Sequence, residues 1–163
     1  MNHTGSGIPP LSELLLPAAI NLRLSGTQRD EVLAELVGQI KALAGEPEAR
    51  QTLLQALRER EKLHSTGIGD GVALPHARNA LVGLVDRPIL IFGRHDEGIV
   101  YGAIDGAPAK LFFLLVAPTV TQHLAMLARI SRLLRDPKLR KALLTAESPE
   151  KVRAVVHEAE SKL

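Results

Sequence analysis

The sequence predicts an α/β fold: a single three-layer domain whose mixed, mostly parallel sheet of about five strands is flanked by helices. The chain of 163 residues is long enough for one domain with a real core and too short for two independent ones. Helical apolar spacing precedes and follows a central set of short apolar segments. One of these, LFFLLVA at 111–117, is continuously apolar and suits a strand covered on both faces.

Two helices are predicted before the sheet. Apolar residues recur with helical spacing over 28–44, and Gly45 is placed to end that helix. Pro47 suits the first position of a second helix that extends to about residue 62, because proline is tolerated where the backbone N–H has no partner.

The strands and the later helices follow from similar signals. Short apolar segments predict strands at 72–74, 81–85, 88–92, 99–103 and 111–117. The charged segment 93–98 predicts a polar turn that leaves His95 in a solvated loop. Helical spacing returns at 121–134. Asp136-Pro137 and Ser148-Pro149 each place a capping residue before proline and begin two more helices.

Composition argues against several classes of protein. Twenty Lys and Arg residues against 18 Asp and Glu give a net charge of only +2, and aromatic residues are 2% of the chain. Neither a concentrated basic surface nor a stacking platform is expected, so no nucleic-acid partner is predicted. The absence of cysteine excludes disulfides, thiolate zinc sites and cysteine nucleophiles, and it fits a reducing cytosol.

The termini and the apolar runs predict a cytoplasmic domain. Residues 1–10 have neither the charged nor the apolar region of a secretory signal, and they predict a flexible N-terminal tail before a domain at 11–163. The apolar run at 111–117 is far shorter than a membrane span, so no direct membrane insertion is expected.

Residues 64–78, HSTGIGDGVALPHAR, carry glycines at alternate positions, Gly67, Gly69 and Gly71. They match neither the Gly-Lys-Ser/Thr ending of a P-loop nor the spacing of the dinucleotide fingerprint, so a nucleotide site is a poor fit. Glycines in such a stretch are typical of turns that need positive φ.

His76 stands at the end of this stretch, directly after Pro75, whose fixed φ stiffens the backbone. A neutral imidazole is a competent nucleophile near pH 7. The alternative is a histidine that is partly buried for packing alone, and the residues by themselves leave both interpretations open.

His123 falls in the first turn of the predicted 121–134 helix, after Thr119 and Thr121, either of which could cap it. A helix start disfavours imidazolium and favours an incoming anion, although the position could also be incidental. The histidines form no i, i+4 pair and no HExxH motif, so neither a metal nor a cofactor is expected.

Residues 60–78 resemble the phosphorylation-site region of the mannitol/fructose-type IIA components, EIIA type 2, of the bacterial phosphoenolpyruvate-dependent phosphotransferase system. The match is closest to the nitrogen-regulatory branch. It rests on Arg60-Glu61, on the Ser-Thr-Gly-Ile-Gly-x-Gly pattern at 65–71 and on Pro75-His76. It continues through 103–106, 111–117 and His123-Leu124, and it covers the chain from residue 11 to about residue 156.

The resemblance implies roles for particular residues. His76 would accept a phosphoryl group from an HPr-like phosphocarrier, His123 would be the second active-site histidine, and Arg60 would lie near the phosphate. Thr66 and the backbone N–H groups of the glycine stretch, at Gly67, Gly69 and Gly71, are further phosphate-binding candidates. Asp70 departs from the Asn usual in the nitrogen branch, and would place a carboxylate near an anionic group.

Three functions remain open at this stage. The first is a regulatory phosphocarrier whose two charge states bind target proteins differently. The second is a sugar-specific IIA component that passes phosphate to a IIB partner. The third is an interaction module of the same fold that is never phosphorylated. In the first two cases the protein is a phosphotransferase component rather than a free-standing metabolic enzyme.

Overall fold

A single mixed sheet organises the chain. The computed structural model describes residues 7–77 and 83–163. The strands are β1 (Ile20–Asn21), β2 (Gly67–Gly69), β3 (Val72–Ala73), β4 (Ile89–Ile99) and β5 (Ala109–Val116). They lie in the spatial order β1-β4-β5-β3-β2, which confirms the predicted mixed sheet of five strands.

The strand directions correct one part of the prediction. β1 with β4 and β3 with β5 are parallel pairs, whereas β2 with β3 and β4 with β5 are antiparallel pairs. The sheet is therefore evenly mixed rather than mostly parallel. The cause is the short connection between β4 and β5, at residues 100–108. Antiparallel neighbours can be joined by a short loop, while parallel neighbours need a longer crossover.

β4 is longer than predicted. The segments 88–92 and 99–103 do not form two strands, because β4 continues through the charged segment 93–98 with an irregular register between Arg94 and Ile99. His95 is accordingly not in a solvated loop: its Nε2 donates to the carbonyl oxygen of Gly26 at 2.9 Å, and its Nδ1 accepts from the N–H of Gly98 at 2.9 Å. These side-chain bonds to backbone groups secure a segment whose composition indicates a turn.

The helices lie on both sides of the sheet. They are α1 (Leu11–Leu14), α2 (Arg29–Gly38), α3 (Pro47–Leu63), α4 (Val120–Leu133), α5 (Pro137–Thr145) and α6 (Pro149–Ser161). The three predicted N-terminal prolines do begin α3, α5 and α6. The first predicted helix ends early, at Gly38, and a 3-10 turn over Lys41–Leu43 replaces its last part.

β5 divides the core into two layers. Seven of its eight residues are buried, which confirms a strand covered on both faces. Phe113 and Leu115 pack with α4, α5 and α6 on one face, and the Phe113 ring lies 5.0 Å from that of Phe92. Phe112 and Leu114 pack with α2 and α3 on the other face. Together the sheet and the two helical layers form the predicted three-layer domain.

Two predictions fall partly outside the described residues. The predicted tail includes residues 1–6, which are not described, while Ile8 is 2% exposed and belongs to the core. The predicted strand 81–85 begins at residues that are not described, and Val85 makes an isolated bridge. No helix in the described part of the chain is long and apolar enough to cross a membrane.

Thr119, rather than Thr121, caps α4. The Thr119 side-chain oxygen accepts a hydrogen bond from the N–H of Gln122 at 3.1 Å, and its carbonyl oxygen accepts from the N–H of His123 at 3.0 Å. Thr121 lies within the helix and is exposed. The cap fixes the helix turn that carries His123.

We expect Thr119→Ala to lower the free energy of unfolding by about 1 kcal/mol, because the N–H of Gln122 loses its acceptor. Thr121→Ala is the matched control and should change stability by less than about 0.5 kcal/mol. Urea denaturation followed by circular dichroism measures both. Equal losses from the two variants would contradict this assignment of the cap.

Candidate active site around His76

Strand pairing brings the two predicted active-site histidines together. β3 runs parallel to β5, with Val72 opposite Leu111, and the pairing continues to Pro75, whose carbonyl oxygen accepts from the N–H of Leu115 at 3.2 Å. Parallel strands end at the same edge of a sheet, so His76 after β3 lies beside the start of α4 after β5. The His76 and His123 ring centroids are 5.5 Å apart, with the ring planes tilted by 54°.

The His76 ring is oriented by the backbone two residues earlier. Its Nδ1 lies 2.6 Å from the carbonyl oxygen of Leu74. A carbonyl oxygen can only accept, so Nδ1 carries the proton and donates it. In the neutral ring the other nitrogen, Nε2, then holds the lone pair. The half-buried imidazole is thus held as the tautomer whose nucleophilic atom is Nε2.

Both imidazoles favour the neutral form. Burial lowers the pKa of His76, and the positive charge of Arg60 lowers it further, while the hydrogen bond to Leu74 acts in the opposite direction. Burial also lowers the pKa of His123, with a smaller contribution from His76. Because an ordinary histidine has a pKa of about 6.5, both rings are neutral near pH 7.

Arg60 supplies positive charge from the last turn of α3. One of its guanidinium nitrogens, Nη1, donates to the carbonyl oxygen of His64 at 2.5 Å. This bond holds the side chain over the end of its own helix. Its positive charge contributes, after burial, to the lowered pKa of His76.

Thr66, a predicted phosphate-binding residue, has both of its hydrogen-bond donors engaged within the protein. Its N–H donates to Glu61 Oε1 at 2.9 Å, and its hydroxyl donates to Glu61 Oε2. Thr66 is 3% exposed and Glu61 is 5% exposed. The two donors that Thr66 could offer to a phosphate are therefore engaged inside the protein by a carboxylate five residues earlier.

The turn of the glycine stretch lies at the opposite end of β3 from the imidazole. Gly67 pairs with Ala73, while Gly69 and Gly71 form the turn between β2 and β3, with φ of 92° and 77°. Gly71 precedes β3 and His76 follows it, so five residues of extended chain place them about 16 Å apart. Gly69 and Gly71 are turn formers, and phosphate binding by the backbone N–H groups of the glycine stretch stays a prediction.

Asp70 sits in that turn, with a φ of 57°. Its N–H donates to Asp105 Oδ2 at 3.0 Å, and its carboxylate lies 3.9 Å from Arg140 Nη1. The Asp70 carboxylate is thus at the opposite end of β3 from His76. The departure from Asn therefore falls in the turn between β2 and β3 rather than beside the imidazole.

Sequence reasoning missed the carbonyl of Leu74 and the side chain of Tyr101, which donates to Glu61 Oε2 at 2.9 Å. A backbone acceptor has no sequence signal, and a lone tyrosine in a loop has little.

The structure leaves His64 and His157 exposed. Among residues 7–77 and 83–163, no three His, Asp or Glu side chains form a group that could hold a metal ion.

The arrangement is suited to accepting a phosphoryl group. Nε2 of His76 offers an uncharged nucleophile, and the neighbouring His123 ring offers a hydrogen-bond donor. Arg60 provides a guanidinium charge for anionic oxygens. Phosphoryl transfer needs positioning and charge stabilisation more than covalent assistance, and these groups can supply both.

Similarity to known proteins extends over nearly the whole chain. The chain is 36% identical over 150 residues to the fructose-specific EIIABC component of the phosphotransferase system of Bacillus subtilis, covering 91% of this chain and 23% of that protein. It is 34% identical to the nitrogen regulatory protein of Bradyrhizobium diazoefficiens, covering 90% of this chain and 94% of that protein.

A solved structure shares the fold. The nitrogen regulatory protein IIA-Ntr of Neisseria meningitidis aligns with a TM-score of 0.77 and 31% identity, covering 90% of this chain and 98% of that one. The family model for the phosphoenolpyruvate-dependent sugar phosphotransferase system, EIIA 2, matches residues 13–159. The fold, the paired histidines and this match lead to one conclusion: the chain belongs to the EIIA type 2 family of the phosphotransferase system.

Proposed function

We propose that the protein is a phosphohistidine carrier in which Nε2 of His76 accepts a phosphoryl group from the phosphohistidine of an HPr-like protein. The observation that carries this proposal is the bond from Nδ1 to the Leu74 carbonyl, which leaves the lone pair on Nε2. The lowered pKa of His76 supports it, because only the neutral ring is a nucleophile.

The transfer exchanges one P–N bond for another. The Nε2 lone pair forms a bond to phosphorus while the bond from phosphorus to the donor imidazole breaks, and the donor nitrogen keeps the electron pair. The proton of His76 stays on Nδ1, in the hydrogen bond to the Leu74 carbonyl oxygen. Negative charge on the transferred group is offset by the guanidinium of Arg60, which acts on this imidazole.

His123 is the second group of the proposed site. In the unphosphorylated protein its pKa is lowered by burial and by His76. A phosphoryl group on His76 would bring anionic charge next to the His123 ring, and a nearby opposite charge raises the pKa of a histidine. His123 then becomes a stronger donor to the phosphoryl oxygens, because charge-assisted hydrogen bonds are the stronger kind.

We favour a regulatory role in the cytoplasm, on nitrogen-branch target proteins. The support is the likeness to the nitrogen regulatory protein of Bradyrhizobium diazoefficiens, which this chain matches over 94% of that protein's length. A phosphoryl group adds nearly two negative charges, enough to change how an interface binds. His76 is half-buried rather than enclosed, so a partner could detect that charge.

A sugar-transport role is the second candidate, supported by the 36% identity to the fructose-specific EIIABC component of Bacillus subtilis. In that case the phosphoryl group would pass from His76 to a IIB partner. Mixing the phosphorylated protein with candidate IIB domains separates the two roles, since rapid transfer of the label to a IIB domain would favour transport.

Incubation with enzyme I, an HPr-type carrier and labelled phosphoenolpyruvate should label the protein with an acid-labile phosphoryl group. His76→Ala should abolish the label, because the acceptor nitrogen is gone. His157→Ala is the control, since His157 is exposed on α6, and it should be labelled like the wild type. Labelling of His76→Ala at the wild-type level would overturn the proposal, and an unlabelled wild type would favour an interaction module.

The rate of phosphorylation should be nearly constant above pH 7 and should fall only below pH of about 6.5, because the pKa of His76 is lowered from that ordinary value. The rate falls at low pH because protonation of the ring removes the lone pair on Nε2. NMR titration of the His76 ring protons gives the midpoint without contribution from the donor protein. A midpoint above that of a histidine model peptide would contradict this prediction.

Asp70→Asn should leave the rate of phosphorylation within about twofold of the wild type, since an exposed charge in the turn before β3, at the opposite end of the strand from the nucleophile, is largely screened at physiological salt. The same assay with the labelled donor measures it. A large change in rate would place the carboxylate in contact with the phosphoryl group or the donor.

A further inference from the structure

A buried carboxylate lies beside the proposed site without touching the imidazole. Glu61 is 5% exposed and follows Arg60 on α3. Its Oε1 accepts from the N–H of Thr66, and its Oε2 accepts from the hydroxyls of Thr66 and Tyr101. None of the ion pairs among the described residues involves Glu61. Burying a carboxylate is costly unless its oxygens are bonded, so these three donors must stay in place.

Tyr101 joins the loop after β4 to this carboxylate. Burial, together with the charge of Glu61, raises the pKa of Tyr101 well above its ordinary value, so the phenol remains a donor. Its ring packs edge-on against Phe112, with centroids 5.5 Å apart. Its carbonyl oxygen accepts from the hydroxyl of Ser65 at 2.5 Å. Tyr101 is thus bonded directly to Ser65 and, through Glu61, to Thr66.

From Thr66 the bonds continue to the nucleophile. The carbonyl oxygen of Thr66 accepts from the N–H of Leu74 at 3.0 Å. The carbonyl oxygen of Leu74 in turn accepts from Nδ1 of His76 at 2.6 Å. Hydrogen bonds, joined through the backbones of Thr66 and Leu74, therefore form a series from the Tyr101 hydroxyl, through Glu61, to the His76 ring.

From this series we infer that Tyr101 and Glu61 are positioning residues that hold His76 in the tautomer competent for phosphoryl acceptance. The inference rests on the proposed function. It concerns residues that would contact neither the phosphoryl group nor the donor protein. If Thr66 shifts, the N–H of Leu74 loses its acceptor and this backbone is held, among the described residues, only by the bond between Pro75 and Leu115, so the Leu74 carbonyl can turn away from Nδ1. The two neutral tautomers then mix, and only the one protonated on Nδ1 has a lone pair on Nε2.

The same carboxylate lies next to the segment that holds Arg60. Glu61 adjoins Arg60 in the last turn of α3, where Nη1 of Arg60 bonds to the carbonyl oxygen of His64. The segment that follows, Ser65 and Thr66, is bonded to Tyr101 and Glu61. The residues that follow the Arg60 acceptor are therefore held by the same buried group as the imidazole, and loss of that group should disturb both ends of this segment.

The test is Tyr101→Phe, which removes one hydroxyl and keeps the ring against Phe112. We expect kcat for phosphorylation to fall about tenfold, with KM for the HPr-type donor within about twofold of the wild type, because only the transition state needs the aligned groups. Nitrogen-15 NMR of the unphosphorylated protein should show a smaller fraction of the tautomer protonated on Nδ1. That second readout would not move if Tyr101 only stabilised the fold.

Thr66 provides an independent pair of variants. Thr66→Val removes the hydroxyl bond to Glu61 and should reproduce both effects, whereas Thr66→Ser retains a hydroxyl and should restore the tautomer and most of kcat. Ser148→Ala is the matched control for lost stability, because it removes the α6 cap bond to the N–H of Lys151, in the C-terminal helix. It should lower the unfolding free energy while leaving kcat and the His76 tautomer unchanged.

Two results would separate the inference from the proposed function. If Tyr101→Phe and Thr66→Val both keep the wild-type tautomer and kcat while losing stability, the positioning role is overturned and the carrier function stands. If the wild type accepts no phosphoryl group, the proposed function fails, and the NMR tautomer ratios still decide whether Tyr101 and Glu61 hold the ring.

Discussion

The parallel pairing of β3 with β5 is the constraint on which the site depends. It places the end of β3, with His76, beside the start of α4, with His123, at one edge of the sheet. Other parts of the fold hold β5 in place for this pairing. The antiparallel β4 secures β5 on its far side, and both layers of helices bury the β5 side chains. A shift of β3 by one residue would turn His76 to the opposite face, because side chains alternate along a strand.

The polar groups around this edge fall into two sets. The donors and acceptors of Glu61, Thr66 and Tyr101 satisfy one another in the interior, so they fix geometry without being available to a ligand. His76 and Arg60 are only partly buried and remain accessible. This division lets the interior be rigid while the surface groups stay chemically available. The cost of burying the Glu61 carboxylate is offset by hydrogen bonds rather than by a counter-ion.

Much of this could be predicted from the sequence, because the relevant signals are local. Proline at the first helical position located the starts of α3, α5 and α6, and the apolar run at 111–117 located β5. The features that the sequence did not predict depend on long-range contacts. The bond from His95 to Gly26 joins residues 69 positions apart, and it secures a strand through a charged segment. The engagement of Thr66 by Glu61 was equally invisible, since it depends on how the end of α3 meets β2.

The distance between the glycine turn and His76 bears on how related sequences are compared. One continuous motif, 65–76, contains two physically separate requirements: positive φ at one end of β3 and a nucleophile at the other. A substitution at Gly69, Asp70 or Gly71 bears on the turn that closes the β2–β3 hairpin. A substitution at Pro75 or His76 bears on the nucleophile. A changed glycine therefore affects the hairpin first and reaches His76 only through the hydrogen bond between Thr66 and Leu74, whereas a changed His76 removes the acceptor itself.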